Sequence, residues 1–311
     1  MSEGEAVLTG KVAVVTGSGR GLGRAYARAI AAAGAFVVVN DVDADAAADV
    51  VAEIEAAGGR AVPVIAPVGP TATAGALVAA AVEHFGRLDA MVTNAGVLRD
   101  RSIGKMTDDD FDVVVETHLR GTFTCARAAL ARFKEQANED QQSGGRLVLV
   151  GSPAGQRASF GQTNYSSVKA GIVGMARTLA VEAARAQVTV NALIPVALTR
   201  MVATVPVFAE AVAAVERGEP VPAELRERGV GTAEDVAPLL VYLLSDAAAG
   251  ITGQALGVGG DKISVWSHPT VAAETSRTGG WSAQAIAEAF PGELAQHLQP
   301  YAPDLPAEAS R

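Results

Sequence analysis

The sequence predicts an α/β fold: a three-layer, doubly wound parallel sheet of about seven strands, followed by a C-terminal extension. Three observations predict it. Short runs rich in β-branched residues alternate with longer alanine-rich stretches. The runs are near-continuously apolar, as strands covered by helices on both faces must be. The first run also ends in a glycine-rich loop that opens the first alanine-rich stretch.

Taken in order, Val-Ala-Val-Val-Thr at 12–16 gives the first strand and the alanine-rich 23–33 the first helix. Phe-Val-Val-Val at 36–39 and the helix 45–57 follow, then the strand 61–65 and the helix 74–85. The strand 88–93 precedes one long helix over 108–137. The strand 146–150 precedes the helix 165–184, and the strand 188–193 the helix 234–244. Gly-containing but apolar 255–258 closes the sheet. Strand and helix alternating this often read as one sheet with right-handed crossovers. No linker divides the chain, so 1–260 is expected as one domain and 261–311 as an extension of it.

Two regions stand outside the alternation. Residues 197–230, broken by Pro206, Pro220 and Pro222, are expected to leave the sheet and cover its crevice, with Met201, Val202, Val205, Val207 and Phe208 closing over an apolar group. An ordinary helix pair packed on the sheet is the plainer reading of the same residues. The extension holds one short helix, 283–290, with Ser282 as its N-cap and Pro291 as its stop. Its Pro- and Ala-rich end, 300–311, is expected to fray.

Composition excludes several functions. The chain of 311 residues is 49% hydrophobic and carries a formal net charge of -9, so a large core forms easily and nucleic acid is not an expected partner. The acidic start lacks the form of a secretion signal, and no apolar run has membrane length, so no membrane partner is expected. Cys125 stands alone in the sequence, which fits a reducing cytoplasm and a packed core thiol. Histidines 84, 118, 268 and 297 show no ligand spacing, so no metal is expected.

The loop Thr16–Gly23 has glycines at 17, 21 and 23 between the first strand and the first helix. Glycine lets backbone approach a pyrophosphate, and the helix N-terminus offers it free N–H groups, so this is read as a Rossmann-like dinucleotide site. Asp41 ends the second strand, 18 residues past Gly23. A carboxylate there accepts hydrogen bonds from the adenosine ribose and repels a 2′-phosphate, which favours NAD over NADP. Arg20 pulls the other way, since a cation in the loop can meet a 2′-phosphate. Its alternative is to be solvated or paired with a nearby acid.

Tyr165 and Lys169 are four residues apart, one helical turn, and so share a face. An ammonium beside the phenol is expected to lower the tyrosine pKa and let it exchange a proton near neutral pH. Ser152 follows the strand 146–150, at the strand end where open α/β sheets bind ligands, and its hydroxyl can meet a substrate oxygen. Each residue alone is an ordinary Ser, Tyr or Lys. Together with the glycine loop they predict hydride transfer to or from an alcohol or ketone.

These motifs, with Asn94-Ala95-Gly96, Asn191 to Pro195 and Thr252-Gly253-Gln254, resemble the short-chain dehydrogenase/reductase family in its compact single-domain branch. The resemblance implies that Ser152, Tyr165 and Lys169 are catalytic. It places the cofactor, NAD, against Gly17, Arg20, Gly21, Leu22, Gly23, Asp41, Val68, Asn94, Ala95, Gly96, Tyr165, Lys169 and Pro195. It also implies dimers or tetramers built on the long helices. Two departures stand out. The family's asparagine of the proton relay is replaced by His118, whose main-chain carbonyl could bind the relay water or which could simply be a packing residue. The family's Pro-Gly after the sixth strand reads Pro195-Val196, implying a differently shaped peptide there.

The stretches 21–26, 37–41, 118–123 and 164–171 further resemble the (3R)-hydroxyacyl-CoA dehydrogenase domains of peroxisomal multifunctional enzymes type 2. That resemblance implies a bulky alcohol or ketone substrate, CoA-linked or sterol-like. The competing readings are an NADP-dependent 3-oxoacyl-carrier-protein or general carbonyl reductase, against which Asp41 speaks, and a non-catalytic NAD sensor, against which Ser152, Tyr165 and Lys169 speak.

Overall fold

The structure, a computed structural model, describes residues 7–140, 144–204 and 206–299, so the acidic start and the Pro- and Ala-rich end lie outside the described residues. The chain divides into two compact units, one ending at Trp266 and one beginning at Ser267.

The first unit is built on β1 (Val12–Thr16), β2 (Phe36–Asp41), β3 (Arg60–Ile65), β4 (Ala90–Thr93), β5 (Gly145–Val150), β6 (Val188–Pro195), β7 (Ala255–Gly259) and β8 (Lys262–Trp266). Their order across the sheet is β3-β2-β1-β4-β5-β6-β7-β8, parallel except for the β7–β8 pair. Progress along the sheet reverses between β1 and β4, which opens a crevice above their C-terminal ends.

Seven strands answer to the expected ones. The eighth, β8, comes from a stretch assigned to the extension. It turns back at Gly260, whose φ is +50°, and pairs antiparallel with β7. Lys262, Ile263, Ser264 and Val265 are exposed on this edge, so no apolar run marks the strand.

Helices α1 (Gly21–Ala32), α2 (Ala44–Ala56), α3 (Thr71–Phe85), α4 (Asp108–Val114), α5 (Gly121–Asp140), α6 (Thr163–Ala183), α7 (Pro206–Glu216), α8 (Ala223–Glu227) and α9 (Ala233–Leu244) surround the sheet. Side chains alternate across a strand. Ala13 and Val15 therefore enter one core with Tyr26, Ile30, Val50 and Leu240. Val12 and Val14 enter the other with Leu77, Met91, Phe133 and Ile172. Cys125 is packed in the second core, where burial pushes its thiol up to about 12.

The single helix expected over 108–137 is instead three segments. α4, opened by a Thr107/Asp110 capping box, gives way at Val115–Arg120 to a π-helix, in which the Gly121 N–H reaches back five residues to the Glu116 carbonyl. α5 then resumes the regular ladder.

In the second unit α10 (Ala283–Glu293) is capped by Ser282, whose hydroxyl accepts from the Ala285 N–H at 3.1 Å. Pro291 lies inside this helix rather than ending it. So close to the C-terminus the proline removes one N–H, and the Leu294 N–H still reaches the Phe290 carbonyl at 3.0 Å.

Candidate active site

A crevice of about 1060 Å³ lies over the strand reversal, and every residue the sequence singled out for chemistry or cofactor binding lines it. Its floor is tightly built. Gly17 has φ +60°, and a Cβ there would stand 2.6 Å from Ala95 Cα. A Cβ on Gly23 would stand 2.1 Å from the Gly17 carbonyl oxygen. The Asn94 amide donates to the carbonyls of Thr16 at 3.1 Å and Gly17 at 3.0 Å. Thr16 Oγ1 accepts from the N–H groups of Asn94 and Ala95 at 3.0 and 3.1 Å. A bare-backbone floor at the start of α1 fits a pyrophosphate. Val68 and Pro195 stand on the walls.

Asp41 is fixed at the end of the crevice beside the glycine loop. Its Oδ2 accepts the Gly19 N–H at 2.9 Å and its Oδ1 the Asp43 N–H at 3.1 Å. Gly19, absent from the sequence motif, is needed here because a Cβ would lie 2.8 Å from Asp41 Oδ2. Arg20 also lines the crevice, but its guanidinium is paired with Asp43 Oδ2 at 2.5 Å.

At the other end, β5 runs out into Gly151 and Ser152, and Ser152 Oγ caps the short turn Pro153–Gly155 by accepting the Ala154 N–H at 3.2 Å. Gly155 sets how close this turn comes to α6, since a Cβ there would stand 2.5 Å from the Lys169 carbonyl carbon. The turn brings Ser152 close enough to Tyr165 for its hydroxyl to act on the phenol. Lys169 is buried, its Nζ donating to the Val150 carbonyl at 2.6 Å and lying 5.6 Å from the centre of the Tyr165 ring. The three side chains are thus brought together.

Their electrostatics differ from expectation. Burial raises the Tyr165 pKa, the Ser152 hydroxyl opposes it, and the Asp100 carboxylate adds to the rise. Lys169 is not among the groups that shift it, and burial brings the lysine itself down to about 7. In this state the pair trades charge for burial: Tyr165 holds its proton, and Lys169 is close to giving one up at neutral pH.

His118 sits in the π-helix and is buried. Its Nε2 lies 3.0 Å from the Val97 nitrogen and 2.9 Å from the Val97 oxygen, and its ring meets Tyr165 edge-on at 5.3 Å. Burial, with Lys169 nearby, drops its pKa to about 3, so the imidazole is neutral. A Cβ on Gly96 would stand 2.3 Å from the ring.

Asn164 was not read from the sequence as a functional residue. It is wholly buried, and its Nδ2 donates to the carbonyls of Arg99 and Asp110, both at 3.0 Å. Its Oδ1 accepts the Tyr165 N–H at 2.8 Å. Gln162 holds the Asp100 carboxylate at 2.8 Å, and the Arg101 N–H reaches the Gly161 carbonyl at 2.8 Å. Loop 99–101 is therefore fastened to the start of α6. These partners lie 54 to 65 residues away in sequence, so no local pattern marks them.

In the 197–230 excursion, Leu198, Val212 and Val221 form a small core with Phe208, Val215 and Leu225. Met201, Val202 and Phe208 also line the crevice. Val205 and the side chain of Val207 lie outside the described residues. The Pro195-Val196 departure keeps strand geometry, the Val196 N–H donating to the Val258 carbonyl at 2.9 Å. Asn191 ties the neighbouring turn, donating to the Ile251 carbonyl at 2.7 Å and accepting the Gln254 N–H at 3.0 Å.

A family model described as short chain dehydrogenase matches residues 11–207. The chain is 40% identical over 303 residues to the hydroxyacyl-CoA dehydrogenase ChsB1 of Mycobacterium tuberculosis, covering 94% of this chain and 89% of that protein. It is 41% identical over 209 residues to the peroxisomal multifunctional enzyme type 2 of Drosophila melanogaster. That match takes in 64% of this chain but spans only 33% of the fly protein's length. The crystal structure of a short chain dehydrogenase from Mycobacterium avium superposes with a TM-score of 0.83 at 37% identity, over 96% of this chain and 98% of that one. Identity of this order along nearly the whole chain, on a shared fold, admits one assignment: the chain belongs to the short-chain dehydrogenase family, oxidoreductases that act on hydroxyl groups with a nicotinamide cofactor.

Proposed function

We propose that this enzyme oxidises the secondary hydroxyl of a 3-hydroxyacyl-CoA, or of a sterol-like alcohol of similar bulk, with NAD. The observation that carries the proposal is one crevice with Ser152, Tyr165 and Lys169 clustered at one end and a backbone-anchored Asp41 at the other. When bound, NAD supplies the hydride acceptor. Ser152 would orient the substrate oxygen, and Tyr165, as its own proton moves on toward Lys169, would take the hydroxyl proton from it. Lys169, poised near neutral, would pass that proton on, and the main-chain carbonyl of His118 would hold a water next in line. The neutral imidazole itself carries no proton in this scheme. Asp41 would accept from the ribose hydroxyls and repel a 2′-phosphate.

The bulky substrate is supported by the names of the relatives and by apolar Met201, Val202 and Phe208 along the crevice. A dimer or tetramer packed on α5 and α6 is part of the same reading, since Phe123 and Val181 stand exposed on them. So is a cytoplasmic setting, from the lone buried thiol. Among the described residues no helix is long and apolar enough to cross a membrane.

The test is NADH formation from 3-hydroxyacyl-CoA and hydroxysteroid substrates with NAD, set against reduction of an acyl-carrier-protein ketone with NADPH. Tyr165→Phe is expected to cost at least about a hundredfold in kcat with NADH binding retained. A clear NADPH preference would overturn the cofactor assignment, and wild-type rates in the variant would overturn the tyrosine's role.

A further inference from the structure

Arg20 is the guanidinium within the glycine loop, and Asp43 holds it at 2.5 Å. The contact is the end of a chain of bonds. The Gly19 N–H is on Asp41 Oδ2, the Asp43 N–H is on Asp41 Oδ1, and Asp43 Oδ1 accepts the Ala46 N–H at 3.1 Å as the N-cap of α2. A Cβ on Gly19 would stand 2.9 Å from the Ala46 side chain, so the glycine loop lies flat on the turn between β2 and α2. Asp49 faces the same crevice and also acts on the Arg20 charge. Arg24, the next guanidinium along the crevice, is committed to Glu53 through two hydrogen bonds, at 3.0 and 2.5 Å. Arg28 also reaches Glu53, at 3.5 Å, so both guanidinium groups along the crevice are paired with acids, and among the described residues only Asp43 holds Arg20.

We propose that Asp43 is a specificity-determining residue: by holding Arg20 it withholds from a ribose 2′-phosphate the cation that would otherwise receive it. This rests on the NAD reading of the site. Asp41 and Asp43 then have separate tasks. Asp41 meets the ribose and repels the phosphate directly, while Asp43 engages the cation that would offset that repulsion. An exposed ion pair adds little to stability, so its consequence lies in where it keeps the guanidinium.

Calorimetry on the full chain with adenosine 5′-monophosphate and adenosine 2′,5′-bisphosphate reads this without turnover. Asp43→Asn is the clean perturbation, because asparagine caps a helix as well as aspartate and keeps an acceptor for the Ala46 N–H. The wild type is expected to favour the monophosphate. D43N is expected to raise bisphosphate affinity about fivefold and leave the monophosphate within about twofold, about the scale of releasing one exposed ion pair. The ratio of NADPH to NADH kcat/KM should move with it. In R20A/D43N the gain should vanish.

No gain in D43N, or an equal gain with Arg20 absent, overturns the role given to Asp43 while a monophosphate-favouring wild type upholds the NAD reading. A wild type that favours the bisphosphate overturns both.

Discussion

Replacing Asn164 with alanine is expected to slow turnover far more than it weakens cofactor binding. The amide is wholly buried at the first turn of α6, donating to the Arg99 and Asp110 carbonyls and accepting from the Tyr165 N–H. Alanine strands two acceptors and one donor. At about 1 kcal/mol net for each bond the loss is about 3 kcal/mol, less whatever water recovers by entering the vacated space. At about 2.1 cal/mol/K of unfolding entropy per residue a chain of 311 residues loses about 1.5 °C of Tm per kcal/mol, so a fall of about 4–5 °C follows. The same change releases loop 99–101 from the residue preceding Tyr165. A displacement of an ångström at a reacting group costs on the order of a hundredfold in rate. Scanning fluorimetry gives the first quantity, and initial rates at saturating NAD the second. Fluorescence titration with NADH gives the third, expected within about threefold of wild type because none of the partners lies at the adenosine end. Asn164→Asp keeps an acceptor for the Tyr165 N–H but faces two carbonyls with oxygen, and should be no better than alanine. A Tm lowered as expected with kcat within about twofold of wild type would refute the positioning argument, leaving the amide as packing alone. An unchanged Tm would refute the energetics.

Two further outcomes follow from the crevice. Burial takes the Lys169 pKa from 10.5 in the unfolded chain to about 7, so between these values the unfolded state binds more protons and stability rises with pH. Urea titrations from pH 7 to 10.5 should show the wild type gaining on Lys169→Met across that window, and a constant gap would mean that the lysine is not desolvated. Gly23→Ala would set a Cβ 2.1 Å from the Gly17 carbonyl oxygen, with 2.7 Å to Asn94 Nδ2. Forced backbone shifts of this kind cost about 1–3 kcal/mol, and NADH affinity should fall with them; calorimetry showing wild-type affinity would mean that the floor is not where the cofactor lies.

The sheet was legible because its signal is local. β1 falls on the expected 12–16, since five apolar or β-branched residues in a row leave little choice once glycines follow. The gathering of Ser152, Tyr165 and Lys169 into one crevice was legible for a related reason, as helical spacing and strand-end position are short-range properties. What escaped depends on distant partners. Asn164 acquires its place from carbonyls on another part of the chain, and Gly155 from the backbone of Lys169. Tyr165 was expected to have a lowered pKa, yet burial raises it and only the Ser152 hydroxyl opposes the rise. Spacing brings two groups together but says nothing of how dry they are. Arg20 had two readings on the page, and the one in which it pairs with an acid is the one found.

The π-helix at Val115–Arg120 bears on which lengths of chain this fold accepts. A π turn amounts to an α-helix carrying one surplus residue. Deleting one residue of the segment other than His118 would let α4 and α5 close into one unbroken ladder, and the side chains on either side of the cut would turn by about 100° relative to each other. His118 would then rotate away from Val97 and Tyr165, although no group that touches substrate had been removed. The damage would be one of phase. A helix interior otherwise tolerant of exchange among similar residues is here intolerant of subtraction, and an insertion of one residue elsewhere in the same helix would not restore what the deletion took.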